Sequence, residues 1–315
     1  MRVAISGASG LIGTALGRAL QADGHEVVPL VRDGTGGRSG ADRSGAIRWD
    51  PAGGTIDAAA LEGTDAVVHL AGASIGSGRW TAARKRLIRD SRTQGTALIA
   101  RTLAGLDQPP RVLVSGSGVN AYGDGGDTVL TEASPRGQGF LADVVEAWEA
   151  AAAPAADAGI RTVFSRNGVV LARRGGALTP MLRLFRLGLG GRLGSGRQWM
   201  SWISLPDEVA ALRFLIERDD ISGPVNVTAP EPVTNRDFTA ALAHALHRPA
   251  VLPVPRLGPR LVLGEMADEL LFVSLRVQPA VLQEAGFRFS HPDVATAFAA
   301  VLQDREGHDA EEELR

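Results

Sequence analysis

The chain has 315 residues, of which 44% are apolar and 22% charged, and its formal net charge is -2. This composition predicts a compact globular protein, and the charge argues against nucleic acid or an anionic membrane surface as a partner. Because there is no cysteine, disulfides, thiolate metal sites and cysteine nucleophiles are excluded.

Short apolar runs alternate with segments of helical periodicity, a pattern typical of βαβ units. Strands are predicted at residues 2–6, 26–31, 66–70, 111–115, 161–165 and 224–227, and helices at residues 11–23, 82–106 and 141–157. Right-handed crossovers would place helices on both faces of the sheet. The predicted fold class is therefore α/β, a doubly wound parallel sheet of the Rossmann type with a smaller C-terminal substrate-covering domain.

Changes in amino-acid composition along the chain predict the domain boundaries. Residues 1–172 form the nucleotide-binding domain, which residues 203–228 complete, while the glycine-rich segment 173–202 and residues 229–302 cover the substrate. The acidic end, residues 303–315, is predicted to be a flexible tail. No apolar run reaches the roughly 18 residues of a membrane span, and no targeting segment precedes the first strand, so we expect a cytoplasmic protein.

A glycine-rich turn follows the first predicted strand and opens the first helix, which is the context that dinucleotide binding needs. Gly7 allows the tight turn, Gly10 lets the backbone approach a pyrophosphate, and Gly13 lets helix and strand pack closely. The predicted cofactor contacts in this turn are Gly7, Ser9, Gly10, Leu11, Ile12 and Gly13. The helix N-terminus adds free N–H groups and the positive end of its dipole.

The residue at the end of the second strand indicates which dinucleotide binds. NAD-preferring proteins place a carboxylate there, whereas this chain has Arg32. Since a guanidinium pairs with a 2'-phosphate in a bidentate manner, we predict NADP(H). Two alternatives stay open: Asp33 could turn inward, or Arg32 could be a solvated charge.

Three runs of sequence together resemble the extended short-chain dehydrogenase/reductase superfamily, and more narrowly its atypical subgroup of epimerase family proteins. The runs are residues 7–13, 65–72 and 114–123, supported by residues 79–81, 91–96, 194–203, 276–279 and 286–287. The resemblance implies NADP(H) at the C-terminal edge of the sheet, with Leu70, Ala71 and Gly72 against the cofactor. It also implies a small-molecule substrate between the Rossmann core and the C-terminal part.

The chain departs from the superfamily at its proton-transfer pair. In the superfamily a Tyr-x-x-x-Lys pair lies on the helix that follows the strand predicted here at residues 111–115, but alignment on Glu149 places Leu141 and Val145 there. The chain has a single tyrosine, Tyr122, and a single lysine, Lys85, far upstream. The usual proton relay is therefore absent. A tyrosine without a neighbouring cation is also a poor base at neutral pH.

Two residues just beyond the strand predicted at residues 111–115 are the catalytic candidates. Ser117 stands where the superfamily places a hydroxyl that binds a substrate carbonyl, with a turn serine as the alternative. Tyr122 is the one phenol available as a proton donor, with an aromatic packing residue as the alternative. His69 lies near the end of the strand predicted at residues 66–70, and we interpret it as a packing residue rather than a catalytic one.

Cationic, aromatic and amide side chains could form an anion-binding and stacking wall for the substrate. They are Arg79, Trp80, Arg92, Arg197, Gln198 and Trp202. The alternative is that they support the glycine-rich segment, and Lys85 is interpreted as part of a solvated charged face. The histidines show no paired metal-ligand spacing, so no metal is predicted.

These features predict an NADP(H)-dependent oxidoreductase or epimerase-like enzyme acting on a carbonyl or alcohol carbon. A non-catalytic NADPH sensor is the alternative, motivated by the missing tyrosine–lysine pair. A structural module without cofactor is disfavoured by the intact glycines. The sequence admits a homo-oligomer but does not identify the oligomeric state or the substrate.

Overall fold

The structure is a computed structural model that describes residues 1–32 and 45–303. Its strands are β1 (Arg2–Ser6), β2 (Glu26–Arg32), β3 (Ile47–Asp50), β4 (Thr55–Ile56), β5 (Ala66–His69), β6 (Val112–Gly118), β7 (Val129–Leu130), β8 (Arg161–Asn167), β9 (Val169–Leu171), β10 (Trp199–Met200), β11 (Trp202–Ser204), β12 (Gly223–Val227), β13 (Val233–Thr234) and β14 (Arg276–Val277). Its α-helices are α1 (Leu11–Ala22), α2 (Ala82–Ala104), α3 (Phe140–Ala150), α4 (Ala153–Asp157), α5 (Leu178–Arg186), α6 (Leu205–Glu217), α7 (Asn235–Ala245), α8 (Leu257–Leu263), α9 (Glu265–Leu271), α10 (Ala280–Glu284) and α11 (Val294–Gln303). Two short 3₁₀ turns lie at Ala59–Leu61 and Val119–Tyr122.

One sheet organises the fold, with strands in the order β12-β8-β6-β5-β1-β2-β3-β4. Neighbours are parallel except for β3 and β4. The chain builds outward from β1 through β2 and β3, then crosses to β5 on the other side of β1. This reversal is the switch point at which doubly wound folds bind ligands, so the predicted fold class is confirmed.

Both faces of the sheet are buried, as a parallel sheet requires. Val3 and Ile5 on β1 pack with Leu212 of α6, while Ala4 between them belongs to the core that contains Ile99 of α2. The alternation follows from the two-residue period of a strand. The sheet therefore holds its C-terminal edge rigidly between two helical layers.

Two predicted elements differ from the structure. The single helix predicted over residues 141–157 is wrong, because the chain forms α3 and then α4, with Pro154 in the first turn of α4. Proline lacks an N–H and its ring clashes with the carbonyl four residues earlier, which disfavours one continuous helix. The strand predicted at residues 111–115 extends as β6 to Gly118.

The glycine-rich segment, residues 173–202, contains α5 as well as β10. Leu182 of α5 packs in a third core with Trp202, Phe238 and Phe298. Among the described residues, no helix is long and apolar enough to cross a membrane, and no group of three potential metal-binding side chains is found. Of the predicted tail, residues 303–315, Gln303 is the last residue of α11 and residues 304–315 lie outside the described residues.

Candidate active site

The loop between β1 and α1 crosses close to the end of β5. Gly7 has a φ of 71°, and a Cβ there would lie 2.8 Å from the carbonyl carbon of Leu70. A Cβ at Gly13 would overlap with the Gly7 carbonyl oxygen. Only glycine lets β1, α1 and residues 70–71 meet at this point.

The N-terminus of α1 presents backbone donors beside this crossing. Gly10 is the N-cap residue, and no side chain in the described part of the chain caps the helix. Ser9 and Gly10 are exposed, and Leu11 and Ile12 begin the helix beside them. Uncapped N–H groups at a helix N-terminus bind a pyrophosphate well. Gly7, Gly10 and Gly13, which we call the glycine cradle, therefore fit a dinucleotide.

Arg32 is the last residue of β2, at the same edge of the sheet. Arg48 on β3 is paired with Val31, so the two arginines lie one register position apart on adjacent strands. Successive side chains of a strand project to opposite faces of the sheet, so Arg32 lies on the same face as Leu30. Asp33, the residue that could have turned inward instead, lies outside the described residues.

His69 supports the segment that crosses the glycine loop. It is fully buried, its Nδ1 lies 2.6 Å from the Ser6 hydroxyl oxygen, and the Ala71 N–H donates to that same oxygen at 3.4 Å. Burial, and then the charge of Arg92, lower the pKa of His69 to about 4. The imidazole is therefore neutral at physiological pH and helps to fix Leu70, Ala71 and Gly72.

This burial predicts a loss of stability in acid. The pKa of His69 is about 4 in the folded state and 6.5 when unperturbed, so the unfolded chain takes up the proton first as pH falls. The contribution is intact above pH 6.5 and falls by about 3 kcal/mol as the pH approaches 4. We expect His69→Asn to show a shallower decline in the free energy of unfolding over this range, measured by urea titration. Identical slopes for His69→Asn and the wild type would contradict the assignment.

Arg92 also supports this segment, although the sequence placed it in the substrate wall. Its Nη1 donates to the carbonyl oxygens of Ala73 and Ile88, both at 3.0 Å, and its guanidinium lies 5.0 Å from the Trp148 ring. Burial, and then the charge of Arg84, lower its pKa to about 10. Arg92 thus holds the chain after β5 against α2.

The other predicted wall residues contact different segments of the chain. Trp80 donates to the Ile75 carbonyl and packs edge-on against Phe140 at 5.0 Å, while a Cβ on Gly264 would lie 3.4 Å from Nη2 of Arg79. Gln198 donates to the carbonyl oxygens of Leu193 and Leu271, which is support of the glycine-rich segment, and Arg197 is exposed.

Trp202 requires a correction. Its side chain is fully buried in the third core and its Nε1 donates to the Glu231 carbonyl, so it cannot stack on a substrate.

A buried polar network lies between β6, β8 and α3. The Glu149 carboxylate accepts hydrogen bonds from the Ser117 hydroxyl at 2.7 Å and from two nitrogens of Arg166 at 2.8 and 2.9 Å. Arg136 adds an ion pair at 2.8 Å. Burial disfavours the charged form of Arg166, but hydrogen bonds and the charge of Glu149 outweigh it and raise its pKa.

Tyr122 extends the network to β12. Its hydroxyl donates to Oδ1 of Asn226 at 2.7 Å and accepts from Nη1 of Arg166 at 3.0 Å. Burial raises the pKa of Tyr122 despite the nearby Arg166 charge. The phenol therefore stays protonated and fixed between two strands.

The geometry places both catalytic candidates in hydrogen bonds within the protein. Ser117 lies within β6 rather than beyond it, and its single hydroxyl proton is directed at Glu149. Tyr122 is buried, and its proton is directed at Asn226. Both hydroxyls are engaged inside the protein, where they hold the end of β6 and its 3₁₀ turn.

A cavity of about 310 Å³ opens next to this turn, between the Rossmann core and the C-terminal helices. Its lining residues are Asn120, Gly123, Asp124, Gln138, Arg256, Arg260, Asp268, Glu269, Phe272 and Val273. Glu269 of α9 accepts the N–H groups of Phe140 and Leu141 at 3.2 and 3.3 Å. The C-terminal part thereby caps α3, the helix on which the superfamily carries its tyrosine.

Sequence reasoning did not identify the central residues of this region. Glu149 served only to align α3, and Arg166, Asn226 and Glu269 were not singled out. The sequence feature that could have identified them is a charged residue within a buried strand. Arg166 is the example, since its neighbours Val163 and Ser165 are fully buried. A buried charge needs a partner, so these positions could have been flagged in advance.

Comparison with known proteins agrees with this geometry. The model of the family described as "NAD dependent epimerase/dehydratase family" matches residues 3–228. The chain belongs to this family. A domain of unknown function, DUF1731, matches residues 254–301.

Similar members of the family span nearly the whole chain. Epimerase family protein Mb2239 of Mycobacterium bovis is 46% identical over 295 residues, which cover 94% of this chain and 95% of that protein. The crystal structure of human epimerase family protein SDR39U1 with NADPH has a TM-score of 0.86 at 35% identity, covering 96% of this chain and 99% of that one. Thermus thermophilus UDP-glucose 4-epimerase, solved with NAD, has a TM-score of 0.73 at 21% identity, covering 98% and 100%, and supports the fold alone.

Proposed function

We propose that this protein binds NADP(H) and catalyses hydride transfer at a carbonyl or alcohol carbon of a small molecule, as a reductase, dehydrogenase or epimerase. The observation that carries the proposal is the glycine cradle at the crossing of β1, α1 and residues 70–71. The NADPH in the similar human protein supports the choice of cofactor. NADP(H) would accept or supply the hydride.

The residues of this chain would bind and orient the reactants. Gly7, Gly10 and Gly13 would hold the pyrophosphate, and Arg32 the 2'-phosphate. Asn120 and Gln138 line the cavity, and their amide groups would bind a substrate oxygen. Alignment of the two reactants would supply most of the catalysis, and water entering the cavity would move the proton.

A charge reversal at Arg32 tests the choice of cofactor. We expect Arg32→Glu to weaken NADPH binding about 10- to 100-fold, because a charge-assisted hydrogen bond contributes about 1.5–3 kcal/mol, and to change NADH binding much less. Fluorescence titration of both nucleotides measures this, with the exposed Arg18→Glu as the matched control. Equal losses for NADPH and NADH would remove the proposed role of Arg32.

A second candidate function is a non-catalytic NADPH sensor. The engaged hydroxyls of Ser117 and Tyr122, and the apolar Leu141 and Val145 on α3, favour it. Purified protein incubated with NADPH and a panel of aldehydes, ketones and sugars distinguishes the two. Oxidation of NADPH that depends on a carbonyl compound supports the enzyme, whereas tight NADPH binding without turnover supports the sensor.

A further inference from the structure

Residues 183–193 and 248–262 together form a surface that we call the apolar–arginine face. Backbone hydrogen bonds join the two segments, since the Val254 N–H donates to the Arg192 carbonyl at 2.8 Å and the Gly194 N–H donates to the Val254 carbonyl at 2.9 Å. Eight of the ten exposed large hydrophobic side chains of the described residues belong to this face: Leu184, Leu187, Leu189, Val251, Leu252, Leu257, Leu261 and Val262.

The helix α8 shows how little of this face is covered. No residue of α8 is buried, and Leu257 and Leu261, one turn apart, are 66% and 67% exposed. Val251 and Leu187 protrude further, at 82% and 73%. A helix gains stability in water by burying its apolar side, so an uncovered one indicates an interaction surface.

The charge of the face is uniformly positive. Its two segments contain six arginines and no aspartate or glutamate, although the whole chain carries -2. Asp268 of α9 pairs with Arg256 and Arg260, but Arg183, Arg186 and Arg248 project as exposed charges. The net charge of the chain, which argued against an anionic surface, conceals this local excess.

We propose that the apolar–arginine face docks on a bilayer surface that contains anionic phospholipid. Leucine and valine side chains would enter the boundary between headgroups and acyl chains, with the arginines at the level of the phosphates. A second copy of the chain is disfavoured, because a twofold contact would place six arginines against six. A folded acidic protein fits less well, because its contacts are usually centred on aromatic residues and the exposed apolar side chains here are aliphatic.

The face adjoins the candidate active site. Arg256 and Arg260 lie in its second segment and also line the cavity of about 310 Å³. Docking would therefore bring the cavity close to the lipid headgroups.

The test is sedimentation of the 315-residue protein with vesicles of phosphatidylcholine alone or with 30 mol% phosphatidylglycerol. We expect binding to the anionic vesicles that weakens as salt is raised, since each arginine near the surface is worth about five-fold in affinity. Arg183→Glu/Arg186→Glu/Arg248→Glu should weaken binding by 100-fold or more. Leu187→Ser/Leu261→Ser should weaken it at least ten-fold.

The matched control is Arg18→Glu/Arg89→Glu/Leu87→Ser, which changes exposed side chains elsewhere. It should bind vesicles like the wild type, and unchanged thermal unfolding and NADPH binding should show that all variants are folded. Failure to bind anionic vesicles, or equal loss in the control, would overturn the proposal. A dimer without vesicles that Leu187→Ser/Leu261→Ser dissociates would also overturn it and assign the face to a second copy.

Discussion

Glu149→Leu should lower the free energy of unfolding by about 3–5 kcal/mol, because it leaves the guanidinium of Arg166 buried without its carboxylate. Both side chains of this pair are only 4% exposed, so water cannot replace the lost partner. Unfolding by guanidinium chloride, monitored by circular dichroism, measures this loss of stability. Glu146→Leu, an exposed position on α3, is the matched control and should change stability by less than about 0.5 kcal/mol.

A double-mutant cycle separates the ion pair from its surroundings. Glu149→Leu/Arg166→Leu removes both charges, so it should cost less than the sum of the two single variants. Additive losses would mean that the two side chains act independently, in conflict with their hydrogen bonds of 2.8 and 2.9 Å.

Glu208→Gln should raise the free energy of unfolding by about 3 kcal/mol at pH 7, because it removes a carboxyl group that folding must keep protonated. Glu208 on α6 is fully buried, and neither carboxylate oxygen has a hydrogen-bond partner among the described residues. Burial raises its pKa from 4.5 to about 8.

The sign of the effect follows from that rise. The folded pKa lies above the unfolded one, so stability is fully present below pH 4.5 and is lost as the pH rises toward 8. The gain from Glu208→Gln should therefore vanish near pH 4 and be largest above pH 8, as measured by urea titration across this range. Glu217→Gln, exposed on the same helix, should show no such gain. A pH-independent difference for Glu208→Gln would refute the buried neutral acid.

The Rossmann core was predictable because its signals are local. Apolar strands and helical periodicity alternate in the first half of the chain, and the glycines of residues 7–13 stand directly between β1 and α1. The conformation that Gly7 needs and the close packing at Gly13 are properties of that short segment alone.

The active-site region was less predictable because its contacts join distant parts of the chain. A strand reverses side-chain direction at each residue, so the extension of β6 to Gly118 determines whether the Ser117 hydroxyl meets Glu149 or the crevice. Trp202 is buried because β11 pairs with β9 and because Phe238 and Phe298 pack beside it. Neither the strand pairing nor these packing contacts can be inferred from the sequence around Trp202.

The position of β12 at the outer edge of the main sheet determines where the chain could be truncated without removing a strand of that sheet. Gly223–Val227 complete the nucleotide-binding sheet only after the chain has passed through α5 and β11. Inside β12, the Asn226 amide donates to the Gln278 carbonyl and its side-chain oxygen accepts from Tyr122. A single truncation point cannot separate the nucleotide-binding sheet from the rest of the chain, so exchange of the residues outside that sheet between relatives would need two coordinated splice sites.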